Sequence, residues 1–451
     1  MKVKSLDLGK EPILSLLLKM SLPSVAAMFV MGVYNFVDAI WLARSSTHAL
    51  AAYTVSFPLQ LLLFSVGLGT GIGSGSYASR MFGANNVLQA RRVAGQTLFL
   101  SLTIGGGIAL LVFLFCDEIL LFMGTSPEVI PLARHYLHIY IIGTPLLLFV
   151  MMTNNLMRAE GRPKASMGII LVFALVGLFL DPLFIFGWGV VPALGLRGAA
   201  LASLVAQGSA ALFASYCLYR SASRYEIGWA QMRPSFFTIW SIYKTGLPSI
   251  VMNLLFTVTI VLFNHALAPF GAASIASLGI SLRTVGLINM VLIGIGHAVM
   301  PIIGFSKGAD LRERLAETVR KGNIVATLLA LVCSVIIIIF APTIVGIFTV
   351  DALLIDYGVF ALRMFTLPLV LSAPTIIWIN MFLGLGEGTT ALVLMSLRDC
   401  IFLAPLVLLL PRWFGFEGIW IAYFISVFLA FLVIFFVARH SLHRWHHNPQ
   451  G

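Results

Sequence analysis

Residues 323–345 read NIVATLLALVCSVIIIIFAPTIV, a stretch of 23 residues without a charged side chain. A helix crossing about 30 Å of hydrocarbon needs about 20 such residues, so this run reads as a membrane span. It is one of twelve. Apolar windows bounded by charged or Gly/Pro clusters fall at 20–43, 53–77, 94–115, 134–157, 165–187 and 199–219, then at 246–268, 276–303, 323–345, 360–384, 391–410 and 418–438. In lipid every backbone polar group must be paired within the segment, and these runs are too long for barrel strands, so all twelve predict helices. Composition agrees: 60% of the chain is hydrophobic and 10% charged, where a soluble domain carries roughly 45–50% and about 25%. The expected fold class is an all-α integral membrane protein with twelve transmembrane helices. Soluble enzymes and disulfide scaffolds are excluded.

The net charge of +11 raises the question of an anionic partner, and the placement of the basic residues answers it. With the N-terminus inside, 22 of the 28 Lys and Arg fall on cytoplasmic segments, Arg398 counted among them. That bias sets sidedness, so both termini are expected in the cytoplasm and no nucleic acid is implied. The first apolar run follows Lys2, Lys4, Lys10 and Lys19 and is long enough to span, unlike a cleavable signal peptide. Cys116, Cys217, Cys333 and Cys400 show no CxxC spacing, so neither a metal site nor a disulfide framework is expected.

The longest polar connection, 220–244, divides the windows into two sets of six, and the sets resemble each other. Leu22-Pro23-Ser24 recurs as Leu247-Pro248-Ser249, and Gly83-Ala84-Asn85 as Gly308-Ala309-Asp310, both at a shift of 225. Glu160-Gly161 has a counterpart in Glu387-Gly388, at nearly the same shift. Six helices per copy keep both copies in one orientation, a parallel internal repeat about an axis along the membrane normal. The expected domains are an N-terminal lobe at 1–219, a cytoplasmic linker at 220–244 and a C-terminal lobe at 245–451.

An ionisable group in hydrocarbon costs several kcal/mol and needs a reason. Two carboxylates are assigned to membrane depth: Asp38, late in the first window, and Asp181, in the fifth. At the aligned positions the second half has Phe263 and Ala404. Tyr34 precedes Asp38 by four residues and so shares its helix face. Two neighbouring carboxylates out of water suit the uptake and release of a proton, and with further oxygens equally suit Na⁺. A structural role stands beside this one: Asp38 pairing with Arg44 near the headgroups, and Asp181 ending a helix bent at Pro182. Pro23 inside the first window is either a hinge or a fixed kink. Gly67, Gly71 and Gly75 repeat every four residues and read as a helix-packing stripe. Asn154, Asn155, Ser203 and Gln207, with Asn289, His297 and Asn380 in the second half, are polar groups at membrane depth that either line a cavity or bond a neighbouring helix.

Several stretches resemble one family. They are Leu22-Pro23 followed by Tyr34-Asn35-Phe36-Val37-Asp38, then Met81-Phe82-Gly83-Ala84 and Glu160-Gly161-Arg162-Pro163. Leu180-Asp181-Pro182-Leu183-Phe184-Ile185-Phe186-Gly187 follows, then Gly195-Leu196-Arg197-Gly198-Ala199-Ala200-Leu201-Ala202-Ser203, echoed by Gly415-Phe416-Glu417-Gly418. In order and spacing they resemble the multidrug and toxic compound extrusion (MATE) transporters, closest to the bacterial DNA-damage-inducible type. The resemblance implies two six-helix lobes around a central cavity and a cation-coupled antiporter. It implies cation coupling by Asp38 and Asp181 with Ser203 and Ala199 on the sixth span. It also implies a substrate cavity lined by Tyr34, Asn35, Asn154 and Gln207, and a bending first helix at Pro23. One departure matters: the family's usual Asn four residues before the span-five Asp is Gly177 here. One oxygen ligand is therefore missing, which favours H⁺ over Na⁺.

The expectation is a secondary exporter of amphipathic, often cationic, organic compounds, multi-pass in the bacterial inner membrane. It would work as a monomer in contact with lipid, with no catalytic residue, no cofactor and no resident metal; the coupling ion is H⁺ or Na⁺, the latter at Asp38 and Asp181. The alternative is a flippase of lipid-linked oligosaccharide. A flippase cavity needs cations for a pyrophosphate, and only Arg283 and Arg363 are assigned near membrane depth.

Overall fold

A computed structural model describes residues 5–45, 47–123, 125, 128–187, 192–219 and 223–447. Lys2, Lys4 and Arg220 lie outside them. The described residues form helices joined by short turns, with no strand among them. In the first half these are α1 (Ile13–Ser45), α2 (Thr47–Gly83), α3 (Val87–Leu114), α4 (Cys116–Phe122), α5 (Ile130–Ile142), α6 (Thr144–Ala159), α7 (Pro163–Phe186) and α8 (Leu196–Tyr219). After a short α9 (Trp229–Met232) come α10 (Phe236–Leu267), α11 (Ala272–Gly308), α12 (Arg312–Phe348), α13 (Ala352–Thr366) and α14 (Leu369–Leu385). The chain ends with α15 (Gly388–Ser396), a π-helical stretch Leu397–Leu403, α16 (Ala404–Leu409) and α17 (Pro411–His447).

Ten helical segments are long and apolar enough to cross a membrane by themselves, and two bent pairs bring the number to twelve. The bent spans are the fourth and the tenth. α5 and α6 meet at 49° and α13 and α14 at 43°. Each break carries the residue that causes it: Pro145 opens α6 and Pro368 caps α14, and proline has no N–H for the preceding turn. Rows of apolar side chains on single helices are exposed, as at Leu110, Leu111, Phe113 and Leu114 of α3. In water such a strip would be an anomaly; on a membrane helix it is the surface that meets lipid.

The chain forms two compact units. One holds Met1–Asp7 and Ala26–Ile250, the other Leu8–Val25 and Val251–Gly451. α1 and α10 each contribute to both. The divides follow Val25 and Ile250, 225 residues apart, and each comes two residues after an intrahelical proline, Pro23 or Pro248.

The repeat is written in the backbone. Asn85 and Asp310, 225 apart, both adopt left-handed conformations, with φ of 55° and 52°. Each is followed by a matching bond: Asn86 N–H donates to Met81 O at 2.8 Å and Leu311 N–H to Ser306 O at 2.8 Å. The turn after the fourth span is copied likewise. Gly161 and Gly386 have φ of 76° and 78°, and Arg162 N–H to Met157 O repeats as Glu387 N–H to Phe382 O, both 2.8 Å. These are helix C-terminal turns closed by a left-handed residue. The counterpart of Gly161 is therefore Gly386, and the pairing with Gly388 drawn from the Glu-Gly dipeptide is two residues out of register.

Inside the first unit the glycine stripe packs against α6: a Cβ at Gly67 would lie 3.4 Å from Met151 Cβ, and one at Gly75 would lie 3.1 Å from Asn155 O. At the end of α6, Glu160 is buried and accepts hydrogen bonds from Arg162 Nη1 at 3.3 Å, the Ser223 hydroxyl at 3.4 Å and the Arg224 backbone N–H. Tyr225 donates its hydroxyl to Leu156 O at 2.9 Å. The polar segment after α8 is thus fastened to the fourth span. Burial, opposed by these donors, holds the Glu160 carboxyl above the usual carboxylate range.

Candidate functional site

Four helices of the first unit bring side chains to the two predicted carboxylates. Tyr34 and Asp38 come from one face of α1, Asp181 from α7 and Ser203 from α8, and all four are buried. α2 brings Tyr53, whose hydroxyl is within hydrogen-bonding reach of Asp38. The Tyr34 hydroxyl is within the same reach of Ser203, and its ring is close enough to feel the charge of both aspartates. The aspartates in turn feel each other.

Asp38 Oδ1 and both oxygens of Asp181 are buried without a hydrogen-bond partner among the described residues, and Asp181 is only 1% exposed. A buried ionised carboxylate without donors is strongly unfavourable. Such a pair is stable when it holds a proton or a cation, and it releases either one when water or a competing ion reaches it. That is the chemistry the geometry offers.

The Gly177 departure has a physical counterpart. A Cβ built on Gly177 would lie 2.6 Å from Tyr34 Cε2 and 3.1 Å from its hydroxyl oxygen. The space a side chain would occupy four residues before Asp181 is filled by the Tyr34 ring. Phe173 meets that ring edge-on, with centroids 5.5 Å apart.

The remaining predicted residues are placed as follows. Ala199 lies in an apolar cluster with Leu42, Leu59, Tyr136 and Ile141. Gln207 is buried with its Oε1 unpaired among the described residues and pressed against Gly143 at the break between α5 and α6. Asn154 donates its amide to Ser166 O at 2.8 Å, joining α6 to α7. Asn35 is exposed, and Pro23 lies inside α1. Among the described residues no group of three or more His, Cys, Asp and Glu is arranged to hold a metal.

Sequence reasoning missed two groups. The first is aromatic. Tyr53 meets Tyr136 edge-on at 5.9 Å, and Tyr136 stacks on Tyr140 at 5.8 Å, placing phenols beside the Asp38 carboxylate. The spacing of Tyr136 and Tyr140, one helical turn apart, was the available signal. The second lies in the other unit. Arg398, counted as cytoplasmic, sits in the π-helical stretch inside the span Gly388–Leu409. There it donates to the buried Asp399 from Nε to Oδ1 at 2.8 Å and from Nη2 to Oδ2 at 3.1 Å. The second half therefore does carry a carboxylate at membrane depth, neutralised by its neighbour.

A helical membrane bundle, duplicated, with unpaired carboxylates inside one half, defines a secondary transporter. A profile of the MatE family matches the chain twice, over residues 23–183 and 248–407. The chain belongs to that family. The two matches open on Pro23 and Pro248, so family and internal repeat share one register, and the fold is the family's: twelve spans in two related six-helix halves. The chain is similar to the multidrug export protein MepA of Staphylococcus aureus (strain N315), 24% identical over 411 residues that cover 91% of this chain and 90% of that protein. It is 26% identical to MepA of Staphylococcus haemolyticus (strain JCSC1435) over 430 residues, 95% and 94% of the two chains. Among solved structures, an outward-facing multidrug resistance MATE family transporter of the MOP superfamily matches with a TM-score of 0.92 at 26% identity, covering 98% of this chain and 99% of that one.

Proposed function

We propose that this protein expels small amphipathic, chiefly cationic, organic compounds across the bacterial inner membrane in exchange for inward-moving protons. The observation that carries the reading is the pair Asp38 and Asp181, buried with three oxygens unpartnered among the described residues. Ionised, the pair attracts a cationic compound arriving from the cytoplasm. Protonated from the outside, it loses that attraction and the compound leaves. A ligand moves such an equilibrium only as far as its affinity differs between the two states, so proton and substrate must compete for the same charge.

The proton is preferred to Na⁺ because the groups gathered around the carboxylates are phenols. Tyr34 covers Gly177 where an amide oxygen would complete a cation shell, and Tyr53 reaches Asp38. Hard cations need several oxygen acceptors; a phenol hydroxyl also donates. In this reading the lobes are 1–219 and 245–451 with the linker 220–244 between them. Both termini are cytoplasmic, the protein acts as a monomer in lipid, and α1 bends at Pro23. Relatives named for multidrug export support the substrate class.

The test is efflux of ethidium from proteoliposomes under an imposed pH gradient and, separately, a Na⁺ gradient. The pH gradient alone is expected to drive it. Transport driven by Na⁺ without a pH gradient would overturn proton coupling, and undiminished transport by Asp38→Asn would overturn the site.

A further inference from the structure

The second unit contains a cavity of about 320 Å³, within the range of small-molecule sites (roughly 300–1,000 Å³). Its wall is aromatic on several sides, with Phe256, Phe263, Phe365 and Tyr423, and Arg398, Asp399 and Asn289 are part of it. We propose that the Arg398–Asp399 pair anchors a second ligand site in this cavity, selective for aromatic compounds whose polar end is a carboxylate or a comparable hydrogen-bond acceptor.

The polarity follows from how the pair is held. Both residues belong to the cavity wall, and of the two side chains that of Arg398 is the more open, 21% exposed against 3% for Asp399. Both carboxylate oxygens are already bonded, to Nε and Nη2 of Arg398. The guanidinium has five N–H donors, and the Nη1 group takes no part in either bond. A cationic ligand would have to pull Asp399 away from its guanidinium inside a buried site, leaving a charge uncompensated. An acceptor ligand adds to the free side of Arg398 and disturbs nothing. Planar two-point recognition of carboxylates is what a guanidinium does best.

Three of the other polar groups of the wall are already engaged, while Asn289, Asn380 and Tyr423 stand beside them as neutral polar groups. The hydroxyls of Thr259, Ser372 and Thr375 donate to Leu255 O, Pro368 O and Leu371 O, so none of these protons is offered to a ligand. Arg398 is the cationic group of the wall, and the rings supply an apolar body on which an aromatic ligand stacks.

The position is as unusual as the charge. Arg398 and Asp399 are adjacent in sequence, and neighbours on a regular α-helix do not face each other. The π-helical stretch Leu397–Leu403 lets them close a two-bond pair; such local widenings concentrate at functional sites. An ion pair in mid-span is costly for a chain that needs only to cross lipid. Asp399 is thus a positioning residue: it keeps the guanidinium charged and aimed, and Arg398 meets the ligand.

The site differs in sign from that of the first unit, where the carboxylates have no basic partner among the described residues, and the inference stands whichever ion drives transport. The test uses the full-length protein purified in detergent, with radiolabelled 2-naphthoate as the acceptor probe and 2-naphthylmethylammonium as its cationic mirror. Because Arg398→Ala strands a buried carboxylate, the main variant is the double replacement Arg398→Met with Asp399→Leu, which removes both charges together. Arg398→Lys is the second variant, keeping the charge without the fork. The expected result is saturable naphthoate binding to the unaltered protein, weakened at least about tenfold in both variants, the loss of one good polar contact. Binding of the ammonium probe is expected to stay unchanged in both and to fall in Asp38→Asn. Equal thermal stability of the double variant and the unaltered protein identifies the effect as local. No saturable naphthoate binding to the unaltered protein, or the same affinity in the double variant, overturns the proposal; so does ammonium binding that depends on Arg398.

Discussion

Tyr34 lies across Gly177, its Cε2 atom 2.6 Å from where a Cβ would stand. The two residues form one device: α7 gives up a side chain so that α1 can lay a phenol beside both aspartates. Gly177→Ala is expected to push the ring out of place, because Phe173 and Ser203 hold it on other sides. Overpacking of this kind costs about 1–3 kcal/mol. A lowered melting temperature is expected for Gly177→Ala, with partial recovery when Tyr34→Ala is added and no recovery of ethidium efflux. An unshifted melting temperature in the single variant would show that the ring does not constrain Gly177.

Asp181 is expected to matter for transport and not for folding. Asp181→Asn and Asp38→Asn keep the shape and remove buried charge, so both variants should insert and melt no lower than the unaltered protein. Gradient-driven ethidium uptake into everted vesicles should be lost in both. Substantial uptake by Asp181→Asn would limit coupling to Asp38.

Glu160 makes a pH-dependent prediction. Its carboxyl titrates above its usual range because burial disfavours the charged form. A group whose folded value is raised contributes stability that is complete below the unfolded value and fades as pH rises through the folded one. Relative to Glu160→Gln, which cannot ionise, the unaltered protein should therefore lose stability as pH rises from the ordinary carboxylate range through the raised folded value. Melting curves of both proteins across that window check this; a difference that grows in the opposite direction refutes it.

The copied turns offer a comparison between halves. Gly161→Ala and Gly386→Ala both place an alanine at left-handed φ, a strain of about 1–2 kcal/mol. At Gly161 the Leu6 carbonyl oxygen also stands 2.5 Å from the new Cβ. Gly161→Ala should therefore lower the melting temperature by more than left-handed strain alone accounts for. A loss no larger than that strain would mean that the Leu6 segment yields freely.

Much of this was legible in the sequence, and for a physical reason. Hydrocarbon imposes length and apolarity on each span, and these survive in composition, so every window falls on one span, although some helices run well past it, as α12 does in starting at Arg312 against a window that opens at 323. The fourth and tenth spans read as single windows because hydropathy carries no direction, although Pro145 and Pro368 were there to be seen. Asp38 and Asp181 stood out because nothing basic lies beside them in the chain. Asp399 did not, because Arg398 beside it was counted with the cytoplasmic basic residues, although both lie inside the 391–410 window. Whether two neighbours belong to water or to each other depends on the helical twist at that point, and a π-turn leaves no periodic trace. The phenols around Asp38 come from three helices, and sequence distance hides them.

The turns at Asn85 and Asp310, and at Gly161 and Gly386, agree to within a few degrees while the side chains of the spans between them do not. Duplication here conserved where the chain turns and left free what each half attracts. The difference between a half with bare acids and a half with a capped one is therefore a matter of a few substitutions, and exchanging single side chains across the 225-residue register is the direct way to redesign which charges this protein will carry.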